Sequence, residues 1–265
     1  MPPAREPLTF EVLDDLVLAH ERSRAPAVRL QPGPSLGPLI ELMRFCDEHP
    51  GALGYAPSPE IDALKRAFEI RKPVYLNNER IGFAPARRVL HQGEDSYWDA
   101  FKLAMHKAML TAGFQSLFSR GLVGAMDEMQ NNIHDHSSAA DTGVTAYCVS
   151  PDRVEFVVAD RGVGVLTGLQ SGVFPSLSDA GEALKIALTD GRSRLGIKGR
   201  GYGFRELFKA LSARQGALRF RSDDQLLTIT GVSPALSRAR LQQRAHVPGF
   251  SVTVVCAKPA EVHQG

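Results

Sequence analysis

Three groups of residues have types and spacings suited to holding a charged, phosphate-bearing ligand. The first is Glu128, Asn132 and His136, spaced four apart between Gly121 and Ser138. On a helix these positions line one stripe. A carboxylate, an amide and an imidazole aligned in this way can surround a hydrated metal and a phosphate; the plain alternative is a solvated polar face. The second group is Asp160-Arg161-Gly162-Val163-Gly164. Its glycines let backbone approach a planar ligand, and its carboxylate can accept hydrogen bonds from an amino group; turns also look like this. The third is Gly199-Arg200-Gly201-Tyr202-Gly203, directly before FRELFKALSARQG. A glycine-rich turn at a helix start offers free N–H groups and the positive end of the helix dipole, an anion site. It is neither a Walker A loop, lacking Gly-Lys-Ser/Thr, nor a dinucleotide fingerprint, since no strand immediately precedes it. The alternative is a helix-start loop with three glycines kept for backbone reasons.

Elements must place these groups. Ala125, Met129 and Ile133 form an apolar stripe beside the polar one, so the first group rides on a helix that faces a core. Residues 94–113 make another helix, with Trp98, Phe101, Met105 and Met109 at helical spacing and His106 as a solvated histidine. The period then changes. GVTAYCV (143–149) and RVEFVVA (153–159) read as strands around a Ser150-Pro151-Asp152 turn, and the second ends at Asp160. Residues 165–198 mix a short apolar turn, a helix expected at 179–188 and a basic run, TDGRSRLGIK. Strands follow at 217–222 and 225–231 across Asp223-Asp224, then a basic solvated loop, SRARLQQRAHVPG, and a last strand at 250–257.

The first third reads as an accessory region, 1–93, mostly helical. Helices are expected at 8–22, 37–48 and 58–70, the last opened by Ser58-Pro59. PVYLNN and IGFAP suggest a small hairpin turning at Asn77-Asn78. No repeat or low-complexity tract is present.

Composition narrows the class. The chain has 265 residues, 43% hydrophobic and 23% charged, enough for a substantial core. A net charge of +2 gives no pull toward nucleic acid or membrane. No run approaches a bilayer span, and MPPAREPLTFEVLDDL does not read as a signal peptide. The three cysteines, Cys46, Cys148 and Cys256, lack metal-type spacing. A soluble cytoplasmic protein is expected.

Taken together, Glu-x3-Asn-x3-His on a helix, Asp-x-Gly-x-Gly after a strand and Gly-x-Gly-x-Gly before a helix resemble, in order and spacing, the GHKL ATP-binding domain. That superfamily holds DNA gyrase B, the 90-kilodalton heat-shock chaperones, sensor histidine kinases and mismatch-repair ATPases. The resemblance covers residues 94–265. It implies a two-layer α/β sandwich of the Bergerat type, with a mixed, largely antiparallel sheet. It also implies ATP and Mg²⁺ as ligands. Asn132 would coordinate the Mg²⁺ that bridges the phosphates, with Asn131 the alternative if the helix is rotated. Glu128 would orient or deprotonate an attacking water. His136 would lie near the phosphates, and Asp160 would accept from the adenine amino group. Gly162 and Gly164 would shape the adenine pocket, and Gly199, Gly201 and Gly203 would cradle the phosphates. Lys198 and Arg200 stand where they would add positive charge.

The chain departs from the family pattern where Gly249-Phe250 replaces Gly-Thr at the final strand. His20-Glu21 followed by Pro26 loosely resembles the kinase phospho-acceptor box, but the spacing is one residue too long and QPGPSLGP breaks the following helix. His20 is read as a plain surface histidine. One fold hosts several activities. The expected function is therefore a Mg-ATP-binding protein, a partner-regulated ATPase or phosphotransferase acting with an unidentified protein partner. The alternatives are a non-enzymatic ATP-dependent switch and a histidine or anti-sigma-type serine kinase.

Overall fold

The computed structural model describes residues 4–23, 28–86, 96–172, 174–189, 216–230 and 239–258. Its centre is a six-stranded antiparallel sheet, which takes the order β4-β5-β6-β7-β9-β8. The strands are β4 (Val74–Leu76), β5 (Ile81–Pro85), β6 (Val144–Val149), β7 (Arg153–Asp160), β8 (Ala217–Thr230) and β9 (Arg240–Ala257). Alternation along β7 explains its central place. Val154, Phe156 and Val158 enter one core while Val157 and Ala159 enter the other. A strand buried on both faces must read as a near-continuous apolar run, and RVEFVVAD does.

On the first face lie α4 (Ser96–Thr111), α5 (Ser116–His136) and α7 (Ala180–Thr189). Trp98, Phe101, Met105 and Met109 of α4 and Ala125, Met129 and Ile133 of α5 fill this core, as their spacing predicts. This is the expected α/β sandwich. The described part of the 165–198 segment is anchored to this core. It holds α6 (Gly164–Gln170) and α7, whose Leu184 and Leu188 are buried in the same core.

The N-terminal helices α1 (Phe10–Glu21), α2 (Leu36–Glu48) and α3 (Pro59–Ile70) cover the second face. Ser58 caps α3 through Ile61 N–H at 3.3 Å, with Pro59 in the first turn. The Asn77-Asn78 hairpin forms, with left-handed backbone at Asn77, Asn78 and Glu79. Its strand β5 pairs with β6, so the sheet crosses the 93/94 boundary. A separate three-stranded parallel sheet, β1 (Ala4–Pro7), β2 (Val28–Gln31) and β3 (Gly54–Tyr55), was not expected.

Two other readings need correction. Residues 217–230 form one strand, because Asp223 is a bulge with φ +54° rather than a turn. The supposed basic loop is the first half of β9, where Arg240 to Gln243 pair with Gln225 to Thr228. Its outward residues are solvated, which hides the alternation a strand usually shows.

Candidate adenine pocket at the end of the central strand

The end of β7 and the end of α5 meet. Trp98 Nε1 donates to Asp127 Oδ1 at 2.6 Å, and Lys102 lies 3.6 Å from Asp127 Oδ2. These contacts fix α5's rotation against α4. The helix closes at Ser137, whose N–H donates to Ile133 O at 3.0 Å, and Ser138 turns the chain with φ +59°. The Ser137 carbonyl then accepts from Val163 N–H at 2.9 Å. A Cβ at position 162 would fall onto that same carbonyl, so glycine is required there by close approach. Gly164 has φ +78° and opens α6. Two motifs that are distant in the sequence, the polar-striped helix and Asp-x-Gly-x-Gly, are thus joined by direct contact.

Asp160 is fully buried at this junction. Its Oδ1 accepts from Gly162 N–H at 2.6 Å. Its Oδ2 is buried without a hydrogen bond of normal geometry among the described residues. Burial pushes the Asp160 carboxyl above its ordinary range. The Gly162 N–H, the Arg44 guanidinium, the Ser137 hydroxyl and the Phe250 N–H oppose that rise without cancelling it. An orphaned acceptor inside a protein is costly. It is also what a planar ligand with an amino group needs. Asp160 thus has the acceptor chemistry that an amino-bearing ring would need.

Glu128 and Asn132 lie half-buried on α5. His136 is the helix's last residue, and its side chain lies outside the described residues, as do Lys198, Gly199, Arg200, Gly201 and Gly203. Among the described residues no group of three or more His, Cys, Asp or Glu side chains is placed to hold a metal ion directly. Phe250, where the family pattern has threonine, pairs with Asp160 across β7 and β9 and offers no hydroxyl.

Several residues around the end of β7 add to this junction. Thr142 Oγ1 accepts from Arg161 N–H at 2.9 Å and donates to Ala139 O at 2.7 Å. Ser222 Oγ accepts from Val165 N–H at 3.0 Å and donates to Gly249 O at 2.8 Å. Asp223 faces Gly164, where an added Cβ would stand 2.9 Å from Asp223 Oδ1. Burial raises the Asp223 carboxyl, opposed by the Ser222 hydroxyl, His246 and the Leu166 N–H. The bulge of β8 thereby holds the start of α6. A serine beside two aspartates carried no signal beyond a turn. Behind the strand, Arg44 of α2 donates to the carbonyl of Asp160, and to Pro248 O at 2.7 Å.

His20 and His106 also differ from expectation. Both are half-buried rather than solvated. The His20 ring meets Phe45 edge-on at 5.4 Å and lies 5.3 Å from His49. Among the described residues no helix is long and apolar enough to cross a membrane. The chain matched no known family model and no curated protein.

Proposed function

We propose that the chain is a Mg-ATP-binding protein, a partner-regulated ATPase or phosphotransferase of the histidine-kinase-like ATPase superfamily. The observation that carries this reading is Asp160. It is a buried carboxylate with one oxygen held by Gly162 N–H and the other without a hydrogen bond of normal geometry, set against a glycine whose added Cβ would meet the Ser137 carbonyl.

In this reading Asp160 Oδ2 accepts from the exocyclic amine of adenine and selects it over a ring with a carbonyl at that position. Gly162 and Gly164 let the ring lie against backbone. Asn132 would hold magnesium at the phosphates, where the ion would neutralise phosphate charge. Glu128, one helical turn before Asn132, orients the attacking water or hydroxyl and takes its proton. Gly199, Gly201 and Gly203 would cradle the phosphates, with Lys198 and Arg200 adding charge. The protein partner would dock on the N-terminal helices and set turnover.

A switch without turnover is the second reading. It is favoured by Arg44, which links the N-terminal layer to the Asp160 strand and offers a route from nucleotide to a binding face.

Calorimetric titration of the full chain with ATP, with and without Mg²⁺, tests the proposal. Magnesium-dependent binding that favours ATP over GTP supports it. No binding at millimolar ATP overturns it. Phosphate release by wild type but not by Glu128→Ala then separates enzyme from switch.

A further inference from the structure

The exposed apolar side chains are unevenly spread. Six large ones are exposed among the described residues, and the three most exposed are Leu117 at 84%, Leu103 at 49% and Leu110 at 41%. All three lie on the hairpin of α4 and α5. Leu103 and Leu110 are two helical turns apart, on the side of α4 away from Trp98, Phe101, Met105 and Met109. Leu117 stands in the first turn of α5, just after the connection at 112–115. Gly121 and Gly124 continue that outer face of α5, with nothing within 4 Å of an added Cβ at either. Lys102 of α4 reaches Asp127 of α5, so the helices run antiparallel and their outer faces adjoin. Exposed leucines scattered singly need no explanation, whereas a group of them marks an interaction site.

The same hairpin is poor in carboxylates. From Ala100 to Met126 the sequence holds Lys102, His106, Lys107 and Arg120 but no Asp or Glu. A chain with 29 acidic residues in 265 would place about three in a stretch of that length. Asp99 and Asp127 bracket the stretch, and Lys102 pairs with both, at 3.0 Å and 3.6 Å. Lys107 and Arg120 are exposed, and no carboxylate among the described residues pairs with them. At the connection Lys258 Nζ donates to Ala112 O at 3.2 Å. Asp152, whose carbonyl accepts from Lys258 N–H, sets a carboxylate on that side, so the excess charge rests on Lys107 and Arg120. The modest net charge of the whole chain, +2, conceals this basic face.

We propose that the outer face of the α4–α5 hairpin is a docking surface for an anionic lipid bilayer. Leucines and basic residues on one helical face, without acids between them, suit the boundary between charged headgroups and acyl chains. Shape favours lipid over a partner protein. Leu117 projects from the surface, and Gly121 and Gly124 keep the face beside it low. A projecting leucine enters a bilayer without a matching pocket, whereas an apolar anchor binds a protein tightly only where a pocket receives it. The contact is peripheral, since no described helix is long and apolar enough to cross a membrane. It is independent of nucleotide binding.

Co-sedimentation of the full chain with vesicles, without nucleotide, tests the proposal. Vesicles of equal parts phosphatidylserine and phosphatidylcholine should pellet the protein at low salt, and pure phosphatidylcholine vesicles should not. Binding should weaken as sodium chloride is added, because the charges are exposed. Lys107→Gln with Arg120→Gln should weaken partition by about thirtyfold. Leu117→Ser should weaken it by about tenfold. All three side chains are exposed, so melting should stay near wild type. The variant Leu117→Trp should shift its emission to the blue when anionic vesicles are added, against the constant background of the fully buried Trp98. No pelleting with anionic vesicles, equal pelleting with both kinds, partition unchanged in Leu117→Ser or in the glutamine pair, or no shift in Leu117→Trp would each overturn the proposal. Capture by an immobilised acidic amphipathic peptide, lost in Leu117→Ser, with no pelleting by anionic vesicles, would overturn it in favour of a protein partner.

Discussion

Arg44 of α2 donates to the main-chain carbonyl of Asp160, so the N-terminal layer holds the backbone of the residue that would read the adenine. The same guanidinium holds Pro248 O at 2.7 Å, in the middle of β9. Two strands are pinned by one side chain from another layer. Arg44→Ala would leave both carbonyls seeking partners, at about 1–3 kcal/mol. Denaturant unfolding should show a loss of that size. ATP affinity should fall as well, although Arg44 lies behind the strand and not in the pocket. An unchanged ATP affinity alongside lost stability would show that the N-terminal layer supports the fold without informing the site.

Asp160 opposes stability to function. Its carboxyl is raised above its ordinary value of 3.8 by burial. A raised carboxyl favours folding while it stays protonated, and that gain is lost as pH rises through the raised value. Asp160→Asn removes the ionisation but keeps an oxygen for Gly162 N–H. The variant should therefore gain stability relative to wild type as pH rises from about 4 toward neutrality. It should also lose adenine-nucleotide binding, because an amide N–H then faces the ligand's amino group. Melting curves from pH 4 to 8, with calorimetric ATP titration, check both halves. Intact affinity in the variant would remove Asp160 from the pocket.

Gly162 tests the contact that joins the two motifs. A methyl group there meets the Ser137 carbonyl and hydroxyl, both belonging to the end of α5 rather than to a flexible tip. Overpacking of this kind costs about 1–3 kcal/mol. Gly162→Ala should lower melting and weaken ATP together. Gly124→Ala makes a fair control, since nothing lies within 4 Å of its added Cβ. That substitution on α5 should be neutral or stabilising, by up to about 1 kcal/mol.

The parts of this architecture that could be read in advance are those written in local periodicity. The stripes of α4 and α5, the Ser58-Pro59 start of α3 and the apolar run of β7 all state their own burial. The pairing of Asp160 and Gly162 with α5 was legible only as motif order, since Ser137 gives no sign of lying beneath Gly162. The long β8–β9 hairpin reads locally as three strands and a loop because its bulge carries Asp223-Asp224 and its outer half is solvated. A buried charged cluster of Asp14, Glu41, Arg219 and Arg221 was invisible for a different reason. Arg219 and Asp14 are separated by 205 positions, and an arginine in a strand looks solvated until the opposing helix is known.

That cluster sets the acid limit of the fold. Burial works against the Glu41 carboxylate, but Arg219 and Arg221 outweigh it and hold Glu41 below its ordinary value of 4.5. Stability from a lowered carboxyl is present above its unfolded value and is lost as pH falls through the folded one. Unfolding should steepen below about pH 4.5. In Glu41→Gln that acid dependence should shrink while neutral stability falls by about 3–5 kcal/mol, since two buried arginines lose half of their counter-charge. The double variant Glu41→Leu with Arg219→Met should recover much of the loss, because an apolar pair removes the desolvation cost of both ions. Arg221 would keep Asp14 at 3.1 Å in that background. Urea unfolding at pH 7 and pH 4 for the three proteins decides the matter. Equal acid dependence in all of them would place the acid-labile contact elsewhere, and failure of the double variant to recover would mean that the ion cluster is needed for more than charge balance.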